Sequence, residues 1–153
     1  MRYWLIKTEP GSYSIDDLAR DGRTRWDGIR NPRAKNYLKE MAEGDLVIFY
    51  HSSAEPPGAA GVARVAKTAY PDPAQFESKS DYYDAKATED APRWFVVDVQ
   101  FVEKFPVFVP LPDIRAETSL KDMVLVNNSR LSVQPVEPDE FKKVKQIDRK
   151  SVV

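Results

Sequence analysis

The chain has no cysteine and one histidine, His51. The first absence excludes disulfides, thiolate metal sites and cysteine nucleophiles together. The second excludes a multi-histidine metal centre and leaves one candidate imidazole base. No apolar run approaches the roughly 20 residues of a membrane helix. The opening Met1-Arg2-Tyr3-Trp4-Leu5-Ile6-Lys7 lacks a secretion signal's long apolar stretch and small-residue cleavage site. Net charge is also scarce, at −1 from 23 basic and 24 acidic residues. That balance argues against a polycation that coats DNA through phosphates alone. The expectation is a cytoplasmic protein with no membrane partner, no metal and no cofactor.

What is present suits one domain over residues 1–153. Apolar residues form 42% of the sequence, enough for one core, and charged residues form 31%. Tyr3 to Lys7 reads as an opening strand, ended by Glu9-Pro10-Gly11. Ser14-Ile15-Asp16-Asp17 starts a short helix that stops near Gly22. Pro32 to Met41 is a second helix, with Ala34, Tyr37, Leu38 and Met41 at helical spacing. Asp45 to His51 is too continuously apolar for a half-exposed strand, so burial on both sides is expected. Strands follow over 60–70, 93–105 and 130–136, short helices over 111–123, and a last helix over 137–147. Residues 71–92 form a long polar connector, and long loops in compact domains are often functional. Strands without regular βαβ alternation argue an α+β fold with about five strands in a small curved sheet or barrel.

Charge is unevenly placed. Residues 20–39 carry a net +5, from Arg20, Arg23, Arg25, Arg30, Arg33, Lys35 and Lys39 against Asp21 and Asp27. A solvated helix face would account for the charge alone. Trp26 and Asn31 lie inside the segment, however. A flat aromatic, an amide and several guanidinium groups are what stacking a base, reading its edge and holding its phosphate require.

Several segments in order carry a family resemblance. They include Tyr3-Trp4-Leu5-Ile6-Lys7-Thr8-Glu9-Pro10, Trp26-Asp27-Gly28-Ile29-Arg30-Asn31, Phe49-Tyr50-His51-Ser52, Tyr82-Tyr83-Asp84, Pro92-Arg93-Trp94 and Arg130-Leu131-Ser132-Val133-Gln134-Pro135-Val136. With these the chain resembles the EVE domain family from Tyr3 to about Ile147. Three positions depart from the pattern: Ile29 replaces a usual Val, Pro32 a common aromatic, and Phe141 an expected Trp. The resemblance implies a PUA-like fold, a compact curved β-barrel of five or six strands flanked by helices. YTH domains, which hold methylated adenine in an aromatic cage, are distant relatives. EVE domains are thought to read modified bases, with modified cytosines in DNA the leading candidates.

The resemblance also implies a site. Trp26 matches the first cage tryptophan of the YTH relatives; the alternative for it is a core position. Lys7 and Ser12 follow the strand end that faces the relatives' pocket. Tyr82 or Tyr83 matches a second aromatic wall, or the pair pins the loop. Asn31 either reads a base edge or caps the helix before Pro32, and Arg30 stands beside it. His51 either lines the pocket or bonds structurally. Ser52 follows it on the opposite face of a strand, which disfavours a Ser–His dyad. Arg130, Ser132 and Gln134 alternate along one face of the last strand, next to the relatives' Asn-Ser-Arg run, here Asn128-Ser129-Arg130. They form a pocket wall or simply a solvent face. Arg23, Arg25, Arg33 and Lys35 are the phosphate candidates.

The expected function is non-enzymatic capture of a modified nucleobase in nucleic acid, DNA or RNA. An enzyme acting on a modified nucleotide and a protein-interaction domain with a vestigial pocket are the rivals. The sequence offers no credible catalytic set for the first of these.

Overall fold

The computed structural model describes residues 1–127 and 130–150, with side chains through Ile147. Asn128 and Ser129 of the Asn-Ser-Arg run lie outside the described residues. Among the described residues six strands form one mixed sheet in the order β2-β5-β4-β3-β1-β6. They are β1 (Tyr3–Thr8), β2 (Arg23–Trp26), β3 (Leu46–His51), β4 (Gly58–Pro71), β5 (Phe95–Pro110) and β6 (Val133–Val136). The helices are α1 (Ile15–Asp21), α2 (Pro32–Glu40), α3 (Leu111–Ala116), α4 (Val124–Asn127) and α5 (Pro138–Lys150). Strands β1 and β3 pair in parallel, and the other neighbours in the order pair antiparallel, among the described residues. The α+β class stands. Closure does not: among the described residues no ladder joins β2 to β6, so the sheet is open and not a closed barrel. Curvature comes from β4 and β5, whose long pairing shifts register four times. Each bulge bends the strand and raises its twist.

Alternation in the central strands makes two cores. Trp4, Ile6, Val47 and Phe49 face one way, onto Ile15 and Leu18 of α1 and Ala34 and Leu38 of α2. Leu5, Ile48 and Tyr50 face the other way, onto α3, α4 and α5 through residues such as Ile114, Leu125, Phe141 and Val144. The unbroken apolar run of β3 is thus buried on both sides, as its sequence predicts. Phe141 packs 4.5 Å from the Tyr3 ring.

Local chemistry sets the helix ends. Ser14 and Asp17 form a capping box: the Asp17 N–H donates to Ser14 Oγ, and the Ser14 N–H to Asp17 Oδ2. Gly22, at φ 77°, ends α1 and lets the chain turn directly into β2.

Three points of the sequence reading need correcting. Strand β2 escapes a sequence reading because only one of its four residues, Trp26, is buried. Strand β5 runs to Pro110, not 105. Strand β6 begins at Val133, so Arg130 and Ser132 precede it. The long connector over 71–92 carries a 3-10 turn at Pro73–Phe76, and fully buried Gln75 anchors it. The Gln75 amide donates to the carbonyls of Asp72 and Trp94 and accepts from the N–H groups of Arg93 and Trp94. Among the described residues no helix is long and apolar enough to cross a membrane.

Candidate nucleic-acid interface

A cleft of about 540 Å³ opens where β1 and β2 end. Strand β1 delivers Lys7 and Thr8, and the turn after it delivers Ser12 and Tyr13. Strand β2 delivers Thr24, Arg25 and Trp26, and the chain beyond it Asp27, Gly28 and Ile29. Tyr82 arrives from the long connector, and Ser132 from just before β6. The volume falls within the roughly 300–1,000 Å³ typical of small-molecule sites.

Trp26 is only 7% exposed. Its ring meets Phe49 at 5.5 Å and Tyr13 at 6.3 Å, both edge-on. The two readings of this residue therefore coincide, as Trp26 is a core residue that also forms part of the cleft lining. Flanking charges mislead here because alternation in β2 sends Arg23 and Arg25 outward and Trp26 inward. Tyr82 is 45% exposed and stacks against Gly28. A Cβ on Gly28 would stand 2.8 Å from Tyr82 Cζ, and Gly28 has φ 78°. The positive φ is what requires glycine there, because the Tyr82 ring is the far end of an exposed side chain and can shift away from a Cβ.

The cleft wall is braced from behind. Buried Asp72 accepts from Arg30 Nη1 at 3.0 Å and from the Gly28 N–H at 3.2 Å. The Arg30 Nε and Nη2 both donate to the Tyr82 carbonyl, at 3.1 and 2.8 Å. Arg30 therefore ties the connector to the Gly28 turn. Trp94 Nε1 and Arg93 Nη1 both donate to Asp84, closing the same connector on itself.

Other expected residues are dispersed. Asn31 is the helix cap: its Oδ1 accepts from the Ala34 N–H at 3.0 Å. With Arg33 and Arg130 it lines a separate hollow of about 170 Å³. Gln134 is fully buried and donates to the Leu131 carbonyl, so it is no part of a polar strand face. His51 Nε2 accepts from the Ile15 N–H at 3.1 Å, and burial lowers its pKa. That bond makes it a neutral acceptor at the start of α1. Ser52 donates through its N–H and its hydroxyl to the Thr8 carbonyl. Tyr83 is exposed, and the Lys35 ammonium sits 5.1 Å over Trp94. Arg23 pairs with Asp98 at 3.0 Å, and Arg25 lies 4.0 Å from Asp27.

Sequence reasoning missed Thr8, Tyr13, Thr24 and Asp27. The signal for Asp27 was its place beside Trp26; Thr24 needed β2 to be recognised. The Asp27 carboxyl pKa is raised, first by burial and then by the charge of Asp72. Burial also lowers the Lys7 pKa. The cleft therefore offers two cations, one carboxylate, hydroxyls and aromatic surface. Among the described residues no three His, Asp or Glu side chains converge as a metal site.

Residues 2–147 match the EVE domain family, and the chain belongs to it. Human thymocyte nuclear protein 1 is 40% identical, over 97% of this chain and 74% of its own length. A hypothetical protein from Leishmania major superposes with TM-score 0.95 at 39% identity, covering 100% of this chain and 98% of that one. The crystal structure of human THYN1 protein in complex with 5-methylcytosine-containing DNA gives TM-score 0.92 at 38% identity, covering 97% and 98%. The YTH domain of Mmi1, at 9% identity and TM-score 0.54, shares the fold alone.

Proposed function

We propose that this protein binds DNA by taking a modified cytosine, flipped out of the stack, into the cleft at the ends of β1 and β2. The relative solved with 5-methylcytosine DNA shares this fold across nearly its whole length. The observation that carries the proposal for this chain is the position of Asp27, between Trp26 and the Gly28–Tyr82 contact, on the cleft lining. A carboxylate is the side chain that accepts from the N4 amino group of cytosine. Trp26 and Tyr13 supply apolar surface for the ring and its 5-methyl group. Tyr82 covers the base, and Lys7 and Arg25 hold the phosphate beside it. Ser12 and Ser132 supply hydroxyls for the remaining base edge.

Magnitudes fit this division of labour. Flipping costs a few kcal/mol, and aromatic stacking returns about 1–3 kcal/mol per base. Burying one methyl group adds about 0.8 kcal/mol, near fourfold in affinity. Titration of matched oligonucleotides carrying cytosine, 5-methylcytosine or thymine at one position, at fixed salt, tests the reading. Methylcytosine should bind tightest. Cytosine lacks the methyl group and thymine lacks the amino donor, so both should bind more weakly. Equal affinity for all three would remove base reading from this cleft.

A further inference from the structure

The outward face of the sheet is only partly covered. Helices α3, α4 and α5 pack over Leu5, Ile48, Val62, Phe105 and Val109. Toward the edge strand β2, that face carries two polar cross-strand rows. In one, Arg23 pairs with Gln100 and Gln100 with Arg64. In the other, Arg25 pairs with Asp98 and Asp98 with Lys67. Residues directly opposite in neighbouring strands share a face. The side-chain hydrogen bonds agree: Arg64 Nη2 donates to Gln100 Oε1, and Arg23 Nη2 to Asp98 Oδ2, each at 3.0 Å.

All four cations are exposed, and Asp98 is the one carboxylate in the two rows. Burial opposes its charge, but the Tyr70 hydroxyl and Arg23 outweigh burial and lower its pKa. Asp98 is thus already engaged and does not neutralise Arg64. The Lys67 ammonium lies 4.2 Å over the Tyr70 ring. A groove of about 570 Å³ runs past Arg23, Gln100 and Arg64, with Glu43 also lining it. Four cations against one engaged carboxylate leave the two rows with a net positive charge, and such a patch attracts an anion.

The rows are continuous with the base cleft. Arg25 lines that cleft and also begins the second row. Arg23 stands two residues back along β2, about 6.7 Å away at strand rise. We infer that this face docks the phosphodiester backbone flanking the captured base, with Arg23, Arg64 and Lys67 gripping the phosphates. Guanidinium forks hold phosphate oxygens in pairs, and lysine acts as a point charge. The inference rests on the cleft being a base site. It adds Arg64 and Lys67 of β4, which lie outside the basic segment of residues 20–39.

The test is the salt dependence of binding by the Arg64→Gln/Lys67→Gln double variant, on plain and methylated oligonucleotides. The log–log slope should shrink by roughly 0.7–0.9 for each phosphate that is no longer neutralised. Both oligonucleotides should lose affinity by the same factor, leaving their ratio unchanged. Arg64→Lys should recover most of the Arg64 part. Lys142→Gln, on exposed α5 surface, should leave the slope alone. An unchanged slope in the double variant, or an equal drop in Lys142→Gln, would overturn the inference. A reduced slope in a protein that never prefers the methylated base would uphold this face and sink the base reading. Unfolding midpoints within a degree or two of the parent would confirm that the exposed substitutions leave the fold intact.

Discussion

Arg30 and Asp72 meet at 3.0 Å beneath the cleft, with the Asp72 side chain 1% exposed and the Arg30 side chain 22%. Asp72 also accepts from the Gly28 N–H, while Arg30 donates to the Tyr82 carbonyl. One ion pair therefore sets the distance between the two sides of the cleft. Arg30→Ala leaves a buried carboxylate without its cation. Breaking buried pairs costs about 3–5 kcal/mol, and partial exposure of Arg30 puts this one near the lower end. Urea unfolding should show that loss. Arg30→Lys should recover only part of it, because one ammonium cannot reach both Asp72 and the Tyr82 carbonyl as the fork does.

Trp26→Ala should unfold at markedly lower denaturant. Removing a buried tryptophan costs about 3–5 kcal/mol. Trp26→Phe keeps an apolar ring against Tyr13 and Phe49 and should fold. Its affinity for the methylated oligonucleotide should drop by roughly tenfold, within the stacking range. A folded Trp26→Phe with undiminished affinity would place the base elsewhere.

Much of the fold is readable in the sequence, because strong periodic signals coincide with real burial. The β3 run, the Ser14 cap and the Pro32 helix start each report a local rule that the tertiary structure respects. Strand β2 breaks the pattern, since it is held by pairing with β5 more than by its own apolar residues. The site is harder to read for a related reason. Trp26 and Tyr82 are visible as aromatics, but they meet only through Gly28, Arg30 and Asp72, and the last of these is 42 residues from Arg30. Gln134 misleads because an isolated polar residue in a strand gives no sign that its partner is the Leu131 carbonyl.

Asp27→Ala should erase discrimination between methylcytosine and thymine while leaving stability nearly unchanged, as its side chain is half exposed. A hydrogen bond to a charged group is worth about 1.5–3 kcal/mol, so the methylcytosine affinity should fall about ten- to a hundredfold. The raised Asp27 pKa sets a pH signature. The carboxylate form accepts from N4, so wild-type selectivity should fade as pH drops through a window above the ordinary Asp value of about 3.9. Selectivity that persists in Asp27→Ala would assign the amino group to another acceptor.

His51 should make folding pH-dependent in a defined direction. Its pKa is lowered by burial, so the unfolded chain takes up the proton first. The His51 contribution is complete above the unfolded value of about 6.5 and declines as pH falls below it. His51→Gln keeps an acceptor for the Ile15 N–H without titrating. Urea midpoints measured between pH 5 and 8 should slope for the parent and flatten for the variant. Identical slopes would mean that another group titrates in this window.

Indole N–H resonances test the central claim most directly. The protein has three tryptophans, Trp4, Trp26 and Trp94, and only Trp26 lines the cleft. Two-dimensional ¹H–¹⁵N spectra, with Trp26 assigned through the phenylalanine variant, should be recorded as oligonucleotide is added. With a 5-methylcytosine oligonucleotide the Trp26 signal should shift strongly, while Trp4, buried beside Asp45, stays in place. The unmethylated oligonucleotide should move Trp26 less at equal concentration. A Trp26 signal that does not move while the methylated DNA binds would contradict the account.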